Sequence, residues 1–178
     1  MPYKMRLYLS HIHRLDSHLC LAVNHTSQYR WIRDFFRVIS RLGDGVFWYG
    51  LMLMILVIKG ADGITPVIHM AVAGLVGTVL YKWLKGKTLR PRPYEVHQDI
   101  FLTGKPLDKF SFPSGHTLHA VVFGLVAVNY YPQLAYIILP FTSMIGLSRV
   151  VLGLHYPSDV LAGALIGSLI AGLSFLVV

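Results

Sequence analysis

Cysteine is almost missing from this chain: Cys20 is the only one in 178 residues. A lone thiol cannot close an internal disulfide, so a disulfide-stapled fold is excluded, and Cys20 reads as a small packing residue. Charge is scarce too, with 13% Asp, Glu, Lys and Arg against 54% hydrophobic residues and a mean hydropathy of +0.57. That balance excludes an ordinary soluble domain and points to a single integral membrane domain. The sequence has no internal repeat and no low-complexity stretch. Its opening, MPYKMRLYLSHIHRLDSHLC, lacks the unbroken apolar core and small-residue cleavage site of a secretory signal, and is expected to stay in the mature protein. Acidic residues are few, 8 against 16 Lys and Arg, which leaves a net charge of +8. Such an excess suits nucleic acid or an anionic membrane surface; the hydrophobicity decides for the lipid bilayer, and no nucleic acid partner is expected.

What is present is a series of apolar runs. GVFWYGLMLMILVI (45–58), ITPVIHMAVAGLVGTVLYKWL (64–84), HTLHAVVFGLVAVNYY (116–131), LAYIILPFTSMIGLS (134–148) and the stretch from 160 to the end are read as five spans, the first of them short. Pro140 is expected to kink the fourth. In the last, Gly163 and Gly167 have the spacing that lets helices approach closely, read as packing within the chain. Before the spans, QYRWIRDFFRVISRL (28–42) puts Trp31, Ile32, Phe35, Phe36, Val38, Ile39 and Leu42 on one helical face and Arg30, Arg33, Arg37 and Arg41 on the other. It fits an amphipathic helix in the membrane interface and equally a helix packed on the bundle with a solvated basic face. The expected fold is therefore all-α: a polytopic membrane helix bundle of about five spans, with an interfacial N-terminal segment (1–43) and a transmembrane core (44–178).

Polar residues gather in three places. KGKTLRPRP ends the second span, FPSGH opens the third, and SRVVLGLHYPSD joins the fourth to the fifth. If spans alternate in direction, all three clusters meet at one membrane surface. Ser114 stands where an N-cap belongs and Gly115 follows it, so backbone N–H groups and the helix dipole face a common anion. Lys85, Arg92 and Arg149 add cations suited to phosphoryl oxygens. His155 and Asp159 are one helical turn apart, so the carboxylate can hold one ring nitrogen and leave the other as a nucleophile. His116 would then be the acid for the leaving oxygen. Singly, each cluster has a plainer account: a basic loop as a topology signal, PSGH as a helix cap, and a His/Asp pair as a satisfied polar pair or part of a metal site. His119 could line the same pocket or simply pack, and His69 needs only one helix partner.

Together the spacings select a family. Lys85 with six residues before Arg92-Pro93, then Pro113-Ser114-Gly115-His116, then Ser148-Arg149 with five residues before His155 and three more before Asp159, resemble the type 2 phosphatidic acid phosphatase family. That resemblance implies a phosphatase that needs no metal or other cofactor. It implies that His155 attacks phosphorus, Asp159 orients His155, and His116 protonates the leaving group. Lys85, Arg92, Ser114, Gly115, Ser148 and Arg149 would cradle the phosphoryl oxygens. The substrate expected is a membrane lipid carrying a terminal phosphate, such as undecaprenyl diphosphate, phosphatidylglycerophosphate or phosphatidate. A lipid phosphotransferase with the same site and a non-enzymatic phospholipid-binding or transport protein are the alternatives; no protein partner is implied. Of the 16 Lys and Arg residues only Lys59 falls opposite the site, which by charge favours a cytoplasmic site. The family resemblance favours a bacterial inner membrane with the site facing outward.

Overall fold

The computed structural model describes residues 3–177, with side chains described from 13 to 177. Its helices are α1 (Tyr3–His25), α2 (Arg30–Arg41), α3 (Phe47–Lys59), α4 (Ile64–Thr88), the single turn α5 (Pro93–Val96), α6 (Gly115–Tyr130), α7 (Ala135–Val151) and α8 (Pro157–Ser174), with no strand among the described residues. Each of the five apolar runs is a helix: α3, α4, α6, α7 and α8. Three helical stretches, 30–96, 132–151 and 157–174, are long and apolar enough to cross a membrane by length and composition. The first contains both α3 and α4, which turn at Gly60–Gly63. α6 is shorter, at 16 residues, and α7 continues through Pro140.

α6 is the centre of the bundle. It packs against α4, α7 and α8 and buries Leu118, Ala120, Val122, Val126 and Ala127, as a helix apolar on most of its surface must. Trp48 of α3 fills the space between Phe123 and Phe141. The outer surfaces of α3, α4 and α8 carry exposed Leu53, Val57, Val72, Val79, Leu161, Leu165 and Leu169. Water disfavours such a girdle, and hydrocarbon accepts it. α8 reaches α6 through its small residues: a Cβ on Gly163 would stand 2.5 Å from the Ser114 carbonyl oxygen, and one on Gly167 2.7 Å from that of Leu118. The small-residue spacing thus serves packing within the chain.

Two helices precede the bundle core. α2 packs on α7, burying Ile39 and Ser40 while Trp31, Phe35 and Val38 stay exposed. α1 rests on α7 and α8. Its Asn24 carboxamide donates to the Phe101 and Val151 carbonyls at 3.0 and 2.9 Å and accepts from the Phe101 N–H at 2.8 Å. One side chain thereby fastens α1 to the long loop before α6 and to the end of α7. Cys20 on the same helix is fully buried; burial first, then the Asp16 charge, pushes its thiol up to about 12. It is a packing residue, without the thiolate that reactivity requires.

Candidate active site

The three polar clusters converge at one end of the bundle, where α4 and α7 end and α6 and α8 begin. Hydrogen bonds tie them directly. The Ser114 N–H donates to the Asp159 carbonyl at 3.0 Å, Lys85 Nζ to the Phe110 carbonyl at 2.6 Å, and Arg92 Nη1 to the Leu154 carbonyl at 2.7 Å. Ser114 caps α6: its Oγ lies 2.9 Å from Thr117 Oγ1 and accepts from the Thr117 N–H. Pro157 starts α8, and Asp159 in its first turn accepts from the Tyr156 N–H at 2.9 Å. A proline at the first turn and a carboxylate reaching back to the free N–H groups are what a helix start at this position calls for.

His155 sits in the short loop between α7 and α8, held by its N–H on the Arg149 carbonyl at 3.1 Å and only 1% exposed. Its Nδ1 faces Asp159 Oδ2 at 3.6 Å, longer than a hydrogen bond but close enough for the carboxylate to orient the ring. Burial, joined by Arg92 and Arg149, outweighs Asp159 and pushes the imidazole down to about 3. His155 is therefore neutral at ordinary pH, with a lone pair to offer. Asp159 is itself fixed on all sides: Arg90 Nη1 donates to Oδ1 at 2.6 Å, and the Ser111 hydroxyl donates to Oδ2. Arg90 continues to Asp16 of α1 at 2.7 Å and stacks on the Tyr156 ring at 4.1 Å. Asp16 in turn accepts from the N–H of Ser158 at 2.9 Å and from its hydroxyl at 2.5 Å.

The cations of the cradle are buried, and the charges of Arg92 and Arg149 reach His155. Arg92 and Arg149 are each 1% exposed. Lys85 Nζ and Arg92 Nη2 both donate to Asp108 Oδ1, each at 2.8 Å. Burial by itself would raise the Asp108 carboxyl, but the bonds and charges of Lys85 and then Arg92 outweigh it and hold it below the ordinary carboxylate range. A phosphate that approaches Lys85 and Arg92 therefore meets a charged carboxylate already bonded to both. Arg149 donates from Nη1 to the Ser40 hydroxyl of α2, while its Nε is buried without a partner. Ser148 donates its hydroxyl to the Ile145 carbonyl at 2.6 Å, so binding a phosphoryl oxygen requires exchanging that bond. Gly115 opens α6 beneath Tyr81, whose ring would lie 3.3 Å from a Cβ at that position.

His116 faces away from this cluster by one ring nitrogen: Nε2 is 2.5 Å from Asp44 Oδ1. Both residues line a cavity of about 440 Å³ that also exposes Asp108 and runs past Met52, Leu75 and Phe123. His119 lines the same cavity, with Nδ1 2.8 Å from the Gly115 carbonyl and Nε2 2.9 Å from the Thr78 hydroxyl. His69 lies elsewhere and is fully satisfied, with Tyr130 at 3.1 Å and Ser174 at 2.7 Å. All nine residues named from the motifs thus lie in one contiguous region.

Residues 64–178 match the model described as the PAP2 superfamily. The chain belongs to the PAP2 superfamily. An undecaprenyl-diphosphatase of Sulfolobus acidocaldarius is 33% identical over 139 residues, which cover 76% of this chain and 66% of that protein. The crystal structure of Aquifex aeolicus LpxE superposes with a TM-score of 0.77 at 30% identity, covering 89% of this chain and 93% of that one. The first transmembrane PAP2-type phosphatidylglycerolphosphate phosphatase of Bacillus subtilis, also a crystal structure, gives 0.67 at 26% identity over 92% and 84%. As a PAP2 member with this all-helical membrane fold, the chain is a hydrolase of the phosphatase type.

Several residues bonded to the candidate site residues escape the motifs. Arg90 stands inside the first basic cluster yet serves Asp159, and Ser111, five residues before His116, does the same. Asp108 bridges two cradle cations. Asp44, Ser40 and Asp16 come from the N-terminal quarter of the chain. A carboxylate between two glycines in LGDG, in a region otherwise poor in acid, was the available hint for Asp44.

Proposed function

We propose that the chain is an integral membrane lipid phosphatase that hydrolyses the terminal phosphate of a lipid phosphate or diphosphate through a phosphohistidine. Undecaprenyl diphosphate, phosphatidylglycerophosphate and phosphatidate are the substrates to test first; the first two agree with the names carried by the relatives. One observation carries the reading. A neutral His155, faced by the Asp159 carboxylate and by the charges of Arg92 and Arg149, is buried at the end of the bundle where His116, Gly115 and the Asp108 carboxylate that bonds Lys85 and Arg92 line a cavity leading to apolar residues of α3, α4 and α6. Such a cavity can take a head group while the tail stays in hydrocarbon.

In the reaction, the free nitrogen of His155 attacks phosphorus, and the phosphorus–oxygen bond to the lipid breaks with its electron pair going to the departing oxygen. His116 gives that oxygen a proton. Water then attacks the phosphohistidine with His116 taking a proton back, and inorganic phosphate leaves. Lys85, Arg92, Arg149 and the N–H groups at the start of α6 stabilise charge on the equatorial oxygens.

The test is phosphate release in detergent from a panel of the three lipids, with trapping of an acid-labile phosphoenzyme. His155→Ala is expected to lose both release and trapping, vanadate to inhibit the wild type, and chelator to leave it active. Release by His155→Ala at the wild-type rate would refute the reading, and chelator-sensitive activity would point to a metallohydrolase. Transfer to a second lipid in place of water would make the enzyme a phosphotransferase. We also place the site on the outer face of a bacterial inner membrane.

A further inference from the structure

The break between α2 and α3 is irregular for a reason that the cradle does not supply. Residues Leu42–Val46 join α2 to α3 across a kink at which Gly45 has φ 130, a conformation that side-chain-bearing residues rarely adopt. Gly43 is buried against Ile145, whose nearest carbon would be 3.0 Å from a Cβ there. The two glycines let the chain press onto α7 and reverse locally, and the residue between them is Asp44. One turn earlier in the same segment, Ser40 accepts the bond from Arg149. The α2–α3 junction therefore forms a wall of the site, with one polar residue on the phosphate side and one on the acid side.

Asp44 meets His116 by Nε2 at 2.5 Å, whereas Asp159 faces His155 by Nδ1. The two histidines thus have one carboxylate each, applied to opposite ring nitrogens. With Nε2 engaged, Nδ1 is the nitrogen of His116 left to meet a leaving-group oxygen. Arg149 and His119 are the other titratable groups near the ring, and both oppose positive charge on it, which leaves Asp44 as the one neighbour that favours the protonated ring.

We propose that Asp44 is a positioning residue for leaving-group departure, holding His116 by Nε2 so that the ring is fixed, its protonated form is favoured over what the buried site alone would allow, and Nδ1–H can protonate the departing oxygen. The proposal rests on the reading of His116 as the acid. The proton moves from Nδ1 to the oxygen as the phosphorus–oxygen bond breaks, leaving neutral His116 still bonded to the Asp44 carboxylate. Fixing the tautomer and stabilising the imidazolium is the service that a carboxylate performs for a catalytic histidine. General-acid help matters most for an alcohol, which is a poor leaving group, and little for a nitrophenol, which departs readily as the anion.

The experiment compares two substrates with the same long chain, an alkyl phosphate and a chain-bearing nitrophenyl phosphate, using the full-length protein in detergent. For Asp44→Asn, the single-turnover rate of alcohol release from the alkyl phosphate is expected to fall about a hundredfold with KM within about twofold, while single-turnover release of nitrophenol stays within about threefold of wild type; a single turnover reads leaving-group departure apart from hydrolysis of the phosphohistidine, which both substrates share. Asp44→Glu, which keeps the charge, is expected to recover part of the alkyl rate. The nitrophenyl substrate is also the control for folding. Equal fractional losses on both substrates would overturn the proposal, as would an unchanged alkyl rate or a change confined to KM. The phosphohistidine reading fails separately, if His155→Ala still turns over both substrates.

Discussion

At the scale of single residues, Asp108 decides how the site meets its ligand. Its carboxylate is charged, bound to both Lys85 and Arg92 at 2.8 Å, and part of the cavity wall, while Arg92, Arg149 and His155 behind it are each 1% exposed. Phosphate and carboxylate compete for the same donors, and charge-assisted bonds of this type are among the stronger ones. Removing the charge while keeping the shape favours the incoming anion. Asp108→Asn is expected to tighten inhibition by orthovanadate on the order of tenfold, corresponding to about 1.4 kcal/mol, read as a fall in the inhibition constant. Weaker inhibition in this variant would mean that Asp108 holds the two cations in place and does not compete with the ligand. The motifs named Lys85 and Arg92 but not Asp108, because the spacing records which residues meet phosphate and not what they bond to without it.

At the scale of elements, sequence and structure agree where the signal is local. Apolar runs of helical length become α3, α4, α6, α7 and α8, and the cap at Ser114 and the turn at Pro157 start helices where their chemistry says. α1 is different: its place comes from Asp16 and Asn24, whose bonds reach residues up to 142 positions away, and no periodicity encodes those. The same holds for Asp44 and Ser40, which find His116 and Arg149 across 72 and 109 residues. Spacing within a motif is legible in a line of text; contacts that close only in three dimensions are not. Gly163 and Gly167 are a middle case, legible as small residues but with a partner known only from the packing. A Cβ on Gly163 would come within 2.5 Å of the Ser114 carbonyl, at the point where Ser114 also bonds Asp159. Gly163→Ala is therefore expected to destabilise by about 1–3 kcal/mol and to lower kcat, because the α6 cap and the α8 carboxylate are pushed apart. Gly172, with no heavy atom within 4 Å of such a Cβ, is the control: Gly172→Ala should leave the thermal midpoint in detergent unchanged or raise it slightly. Equal midpoints for the two variants would contradict a close α6–α8 seam.

At the scale of the whole molecule, charge and site disagree about which way the protein faces. Counting Lys and Arg puts all but Lys59 on the side of the site, which by the positive-inside rule is the cytoplasmic side. The rule counts cations that are free to interact with the membrane potential and the head groups, and many of these are not. Lys85 and Arg92 are bonded to Asp108, Arg90 to Asp16 and Asp159, Arg149 is buried, and Arg30, Arg33 and Arg37 surround Asp34. Once these seven are set aside, eight cations remain on the site side against Lys59 alone, so the charge bias is roughly halved but still points to the cytoplasm, and the outward placement rests on the family resemblance. A membrane-impermeant thiol reagent separates the two orientations, and the buried native Cys20 gives little background. Ala61 lies in the turn between α3 and α4, and Lys105 in the loop on the site side; both are exposed. In spheroplasts Lys105→Cys is expected to label at once and Ala61→Cys only after permeabilisation. Labelling of Lys105→Cys only after permeabilisation would place the site in the cytoplasm, where its lipid would have to present its phosphate to the inner leaflet.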